Sequence, residues 1–207
     1  MKGQFAMHQQ TLTAATKTRA AFSTKDLVLI GMFTAVLAAI SQISLPMPTG
    51  VPITIQMFGV ALTGSILGFR RGFFAALCYI LLGAVGVPVF ANFRGGLDVL
   101  AGLTGGYIML WPAMAALCGA PLPKGIRKGT PALVLAVCLG LLGMMLSELS
   151  GGYRWATLSV ASQSPKTFAA IMAYSFAAFI PKDAILTALG VILGRQIRRT
   201  LIRGNFL

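Results

Sequence analysis

Polar side chains are scarce in this chain, and the few present have the types needed to recognise a small solute. Asn92, Arg94 and Asp98 fall in a glycine-dense stretch, residues 83–107, between two long apolar runs. Asp183 lies in apolar sequence between Phe179 and Ile192, beside Lys182. An ionised carboxylate at the centre of a membrane helix costs about 2.5–3.5 kcal/mol on insertion scales, so it pairs with a cation or faces a polar cavity. Asp183 therefore has two readings, a structural ion pair with Arg94 or Lys182, or contact with a ligand. Thr54 and Gln56 follow a segment, residues 46–52, with too much proline to be helical. A carboxamide such as Gln56 can donate and accept at once. Tyr107, Tyr153 and Trp155 offer faces for stacking on a flat ligand, against the ordinary reading of an aromatic belt at the membrane interface.

Enzymatic chemistry has no footing. The chain lacks HExxH, a Ser/His/Asp set, paired carboxylates at useful spacing and the GxxxxGK[ST] phosphate loop. Lys128-Gly129-Thr130 is a fragment of that loop without its glycine spacing, so any ATP-driven step needs another subunit. No cofactor or metal site is expected. The single histidine, His8, reads as a solvated tail residue. Cys78, Cys118 and Cys138 each sit inside an apolar run with no CxxC spacing, which favours packing over metal or disulfide chemistry. Of the remaining acids, Asp26 reads as a helix cap with Thr24. Glu148 lies near the end of an apolar run, either interfacial or paired with Arg154.

These residues must be held by membrane helices. The chain has 207 residues, 57% hydrophobic and 10% charged, where soluble domains carry about 25% charged residues. Its formal charge of +13 comes from short basic clusters between apolar runs. That pattern is a topology signal and not a nucleic-acid-binding face. Six apolar runs stand out, at residues 27–45, 53–68, 73–90, 99–120, 132–149 and 168–194. About 20 helical residues cross a hydrocarbon core of roughly 30 Å. Most runs fit, 53–68 is short, and Pro181 should kink the last or start a new section. The fold class is thus all-α, an integral membrane bundle of six transmembrane helices.

Six crossings place Lys2, Lys17, Arg19, Lys25, Arg70, Arg71, Lys124, Arg127, Lys128, Arg195, Arg198, Arg199 and Arg203 on one side. Arg94, Arg154, Lys166 and Lys182 lie toward the other. The positive-inside rule then makes both termini cytoplasmic and turns the 46–52, 83–107 and 150–165 segments outward. Residues 1–25 read as a mobile cytoplasmic head without the apolar core of a cleaved signal. Residues 26–200 form the substrate-binding transmembrane domain, and 201–207 a cytoplasmic tail. Small residues recur every four positions, which lets helix backbones meet closely. Gly64–Gly68 and Gly190–Gly194 suit internal packing, whereas Gly31, Ala35 and Ala39 could face a separate protein.

Several ordered motifs point further. Val51-Pro52-Ile53-Thr54-Ile55-Gln56-Met57-Phe58-Gly59-Val60 is followed by Gly68-Phe69-Arg70-Arg71-Gly72. Then come Leu82-Gly83-Ala84-Val85-Gly86-Val87-Pro88-Val89-Phe90, Gly95-Gly96 and Leu103-Thr104-Gly105-Gly106-Tyr107. Together they resemble the BioY family, the biotin-capturing S components of energy-coupling factor (ECF) transporters. The resemblance runs from about residue 25 to residue 200. It implies a six-helix protein of the bacterial cell membrane that takes biotin from outside and works with a transmembrane coupling subunit and ATP-binding subunits. It also gives the stripe Gly31, Ala35 and Ala39 the role of docking the coupling subunit. The family's last helix reads Pro-Gly-Asp-x-x-Lys, with the Asp and Lys on the ligand. Here it reads Pro181-Lys182-Asp183-Ala184-Ile185-Leu186. Adjacent helix positions do not share a face, so Lys182 should replace the missing cation only if the helix breaks at Pro181.

The implied ligand suits the residues. Asp183 can accept from the ureido N–H groups of biotin, Asn92 or Gln56 can meet its carbonyl, and Arg94, with Lys182, can pair its carboxylate. Thr54 and Tyr107 complete the candidate binding set. Two alternatives stay open. Leu186 motivates the same architecture with lipoate or another small vitamin. A membrane scaffold with no solute would tolerate alanine at Asn92, Arg94 and Asp183.

Overall fold

Ser23 opens the first helix by closing a capping box. Its Oγ accepts from the Asp26 N–H at 3.2 Å, and Asp26 Oδ2 accepts from the Ser23 N–H at 2.9 Å. The cap partner of Asp26 is therefore Ser23 and not Thr24, because a carboxylate in the first turn reaches back three residues to the N-cap. Asp26 also meets Arg71 at 2.5 Å, tying the start of this helix, α1 (Thr24–Ser41), to a later one. The computed structural model describes residues 22–123, 125, 129–162, 167–204 and 206. His8, Lys2, Lys17, Arg19, Lys124, Arg127, Lys128 and Lys166 lie outside the described residues.

After α1 the prolines at 46, 48 and 52 exclude helix, and the chain forms a short antiparallel hairpin, β1 (Ser44–Leu45) and β2 (Ile53–Thr54). Ser44 stands opposite Thr54, and Leu45 opposite Ile53. Then come α2 (Gln56–Leu67) and α3 (Phe69–Ala84). They turn at Gly68, whose φ of +87° suits glycine, and the Arg198 guanidinium fills the space a side chain there would need. A 3-10 turn at Ala91–Phe93 leads into three short helices, α4 (Leu97–Ala101), α5 (Gly105–Met109) and α6 (Trp111–Cys118). Two long helices complete the described chain, α7 (Gly129–Ala161) and α8 (Phe168–Arg203).

Among the described residues three helices, α1, α7 and α8, are long and apolar enough to cross a membrane, and α2 is a shorter apolar helix. The segment expected as one span at 99–120 is instead three short helices. Gly102, Gly105 and Gly106 lower helix stability there, and Pro112 suits only the first turn of α6. The 150–165 segment, expected as an outward loop, continues as helix to Ala161. Gly151 and Gly152 lie inside this helix where neighbours take the space a side chain would need, the Tyr107 ring at Gly151 and Ser175 at Gly152. At Pro181 there is no break, and α8 runs through it.

Packing is organised by α8, which lies along both α2 and α7, while α6 sits against α2, α3 and α7. Gly190 of α8 touches the α2 backbone at Phe58, and Gly194 touches Leu62 and Ser65. Gly64 of α2 meets the Ala115 backbone of α6, so both small-residue pairs face inward. Gly31, Ala35 and Ala39 are exposed on α1, with nothing within 4 Å of a Cβ placed at Gly31. Around Tyr79, Phe90, Trp111, Met114 and Met144 the helices enclose the main core. A second cluster gathers Val51, Tyr107, Trp155 and Phe179. Between the two clusters a cavity remains.

Candidate functional site

The cavity, its open mouth included, encloses about 730 Å³ of space. The hairpin, the 3-10 turn, α5, α6, α7 and α8 wall it, and all seven residues singled out in the sequence line it: Thr54, Gln56, Asn92, Arg94, Tyr107, Lys182 and Asp183. Met57, Phe90, Val99, Ile108 and Phe179 supply apolar surface between them.

At the rim stand Asn92 and Arg94, both exposed. The backbone there is forced. Asn92 has φ 59° and ψ 36°, and Phe93 has φ 55°. Asn tolerates this left-handed region but Phe does so at a cost of order 1–3 kcal/mol. Gln42, the C-cap of α1, holds the strained turn in place. Its Nε2 donates to the carbonyls of Val89 and Phe90 at 3.2 and 3.3 Å, and its Oε1 accepts from the Phe93 N–H at 2.9 Å. Ser44 Oγ donates to Asn92 Oδ1 at 2.9 Å. Gln42→Ala is expected to free this turn and weaken ligand binding about tenfold with the helices intact. Hydrogen exchange at residues 89–94 together with ligand titration checks it, and unchanged exchange there would contradict it.

Arg94, in extended backbone just before α4, pairs with Asp98 four residues on at 3.1 Å, with both side chains more than half exposed. Exposed pairs contribute about 0–1 kcal/mol, so Arg94 can exchange Asp98 for an anionic ligand at little cost. Asp183 takes Lys182 as its partner and not Arg94. Lys182 Nζ lies 2.5 Å from Asp183 Oδ1 and donates to the Thr54 carbonyl at 2.9 Å. The expectation that Lys182 would reach this side only on a broken helix is wrong. Successive residues of α8 point about 100° apart, but the flexible four-carbon stem of lysine curls back across that angle. Leu186 is not among the residues lining the cavity.

The floor is buried. Gln56, Tyr107, Asp183, Trp111 and Glu148 all form part of it, and Glu148 is only 1% exposed. Glu148 is thus neither interfacial nor paired with Arg154. Because α7 stays helical beyond Leu149, residues 148 and 154 fall on different faces. Arg154 donates instead to the carbonyls of Ala101 and Gly102, at 2.5 and 3.1 Å. Gln56 Nε2 donates to the Tyr79 hydroxyl at 3.3 Å, and that hydroxyl donates to the Val89 carbonyl at 3.1 Å. One buried phenol therefore orients both a floor residue and the start of the rim turn. The Tyr107 hydroxyl hydrogen-bonds Ser175 at 2.7 Å, which leaves the ring to face the cavity. Trp155 supports from behind, edge-on to Phe179, while Tyr153 is exposed and packs on Phe168.

Sequence patterns do not single out Gln42, Tyr79, Trp111 or Phe179. Only Gln42 left a trace, as a lone carboxamide at the end of an apolar run. Among the described residues no group of three His, Cys, Asp or Glu is placed to hold a metal ion.

A family model described as the BioY family matches residues 10–203. The biotin transporter BioY of Rhizobium etli is 34% identical over 178 residues, covering 84% of this chain and 94% of that protein. The biotin transporter BioY of Rhodobacter capsulatus is 35% identical over 138 residues, covering 61% of this chain and 73% of its own length. A crystal structure of the S-component for biotin from an ECF-type ABC transporter aligns with a TM-score of 0.70, over 86% of this chain and 95% of that one. At 24% identity that likeness is one of fold. Matched by the family model over nearly its whole length, the chain belongs to the BioY family.

Proposed function

We propose that this chain captures biotin at the outer face of the cell membrane and delivers it inward as the S component of an ECF-type transporter. The observation that carries the reading is the single cavity in which an exposed cation stands at the rim and a carboxylate at the buried floor, with apolar walls between. Biotin has that polarity: an acid at one end, a cyclic urea at the other, and a greasy thiophane and valeryl chain between. Arg94 pairs the ligand carboxylate at the rim, and Asp183 accepts from a ureido N–H at the floor. Asn92, Gln56 and Thr54 add polar contacts, Lys182 holds Asp183 in place, and the Tyr107 ring packs on the fused rings. Family membership and the named relatives support this ligand over lipoate, which has no urea.

The membrane arrangement belongs to the same proposal. Six crossings with both termini cytoplasmic put the cavity outside, supported by the distribution of basic residues. Within six crossings the short helices α2 to α6 complete the bundle around α1, α7 and α8. The chain is not an enzyme, and coupled ATP-binding subunits supply the energy. The exposed small-residue face at Gly31, Ala35 and Ala39 docks the coupling subunit, since it allows close approach of another helix.

Uptake of tritiated biotin tests the reading. A biotin-requiring bacterium lacking its own transporter, expressing the chain with coupling subunits, is expected to accumulate label. Unlabelled biotin should compete with that uptake and lipoate should not. Lipoate competing better than biotin would assign the other vitamin, and Asn92, Arg94 and Asp183 all tolerating alanine would favour a scaffold.

A further inference from the structure

Two atoms in the floor have no partner among the described residues. Glu148 Oε2 and Trp111 Nε1 are both buried on residues that line the cavity, and neither finds a protein donor or acceptor of its own, the Glu148 carboxyl lying against the carboxyl of Asp183. Their residues are 1% and 4% exposed. Leaving a buried polar group unsatisfied costs about 1–3 kcal/mol, more for a charged one, and native proteins keep few such groups. One is a pure donor, the other an acceptor, and they come from different helices, α6 and α7. Tyr79 stacks obliquely on Trp111 with ring centroids 5.8 Å apart, which limits the indole's freedom to turn away.

We infer that Glu148 and Trp111 complete the recognition of a cyclic urea, a deepening that rests on the biotin reading above. A urea ring offers two N–H donors and one carbonyl with two lone pairs. Asp183 meets one N–H and Glu148 the other, while Trp111 Nε1–H and Gln56 donate to the carbonyl. The four capacities of the ring are then matched by four side chains, and the two orphaned atoms are satisfied only when the ligand is bound. Specificity follows from the same arithmetic. A ligand without paired N–H groups leaves the two neighbouring carboxyl groups without the donors they are placed to meet, and sites built this way reject analogues strongly.

The test uses the full chain in lipid nanodiscs and tritiated biotin. Glu148→Met keeps the volume and removes the acceptor; it should weaken binding about a hundredfold, and Glu148→Gln, whose amide oxygen still accepts, should stay within about tenfold of the native chain. Trp111→Phe, which removes only the donor, should lose about tenfold. Two biotin analogues, each methylated at one ureido nitrogen, separate direct contact from support. One isomer should bind the native chain about a hundredfold worse than biotin, yet bind Glu148→Met within about threefold of biotin. The inference is overturned if Glu148→Met binds biotin normally, or if it penalises both isomers as the native chain does. Unaltered binding by Trp111→Phe removes the indole's part. A native chain that binds no biotin overturns the ligand reading itself, whereas native binding with unaffected variants overturns only this deepening.

Discussion

Asp183→Asn is expected to weaken biotin binding about a hundredfold while leaving the protein folded. The side chain is 4% exposed and lines the floor, where it holds Lys182. Asparagine preserves its shape but not its charge, so both a charge-assisted hydrogen bond to the ligand and the grip on Lys182 are lost. Breaking a fully buried ion pair costs about 3–5 kcal/mol. Here the cost is smaller, because the Lys182 side chain is 27% exposed and also holds the Thr54 carbonyl, so the freed cation has other partners and access to water. Equilibrium dialysis with labelled biotin, beside a thermal melt in detergent, reads the two effects separately. Native affinity in the asparagine variant would mean that the carboxylate serves only Lys182.

Gly151→Ala is expected to abolish binding through a residue that touches no ligand. A Cβ at this position would run into the Tyr107 ring. The ring has little room to move aside, since Ser147 Oγ donates to the Tyr107 carbonyl at 2.9 Å and α5 packs so close to α7 that a Cβ on Gly106 would lie 3.0 Å from the Gly151 Cα. Either the ring enters the cavity or α5 parts from α7. Overpacking of this kind costs about 1–3 kcal/mol of stability, and the displaced ring should reduce affinity by at least about a hundredfold by filling the ligand's place. Gly31→Ala is the control, because nothing lies within 4 Å of the added carbon. It should bind biotin normally. Equal affinity in Gly151→Ala would show that Tyr107 does not border the bound ligand.

Much of the site was legible because charge is rare in this chain. Asp183, Arg94, Asn92 and Gln56 stand out wherever apolar sequence surrounds them, and the structure brings them to one cavity. Less legible was anything decided by continuity of helix. The glycines at 151 and 152 look like a loop, yet they are close contacts inside α7, and that reading kept Glu148 from the cavity and left it either interfacial or paired with Arg154. The run at 99–120 carries enough hydrophobic residues for a span, but its glycines and Pro112 divide it into three short helices. Adjacency misled at Lys182, because the rule about helix faces describes where Cβ atoms point and not where a long side chain ends. Gln42 and Tyr79 act by positioning backbone carbonyls far away in the chain, and no local pattern reports that.

The central claim is that a vitamin-sized acid sits between the rim at Asn92 and Arg94 and the floor at Asp183. A structure of the full chain determined in nanodiscs with biotin tests it most directly. The account predicts density for the fused rings against Tyr107, the urea within hydrogen-bonding distance of Asp183, and the carboxylate at Arg94 in place of Asp98. Biotin bound elsewhere, or lipid filling this space while the protein still binds biotin, would contradict it.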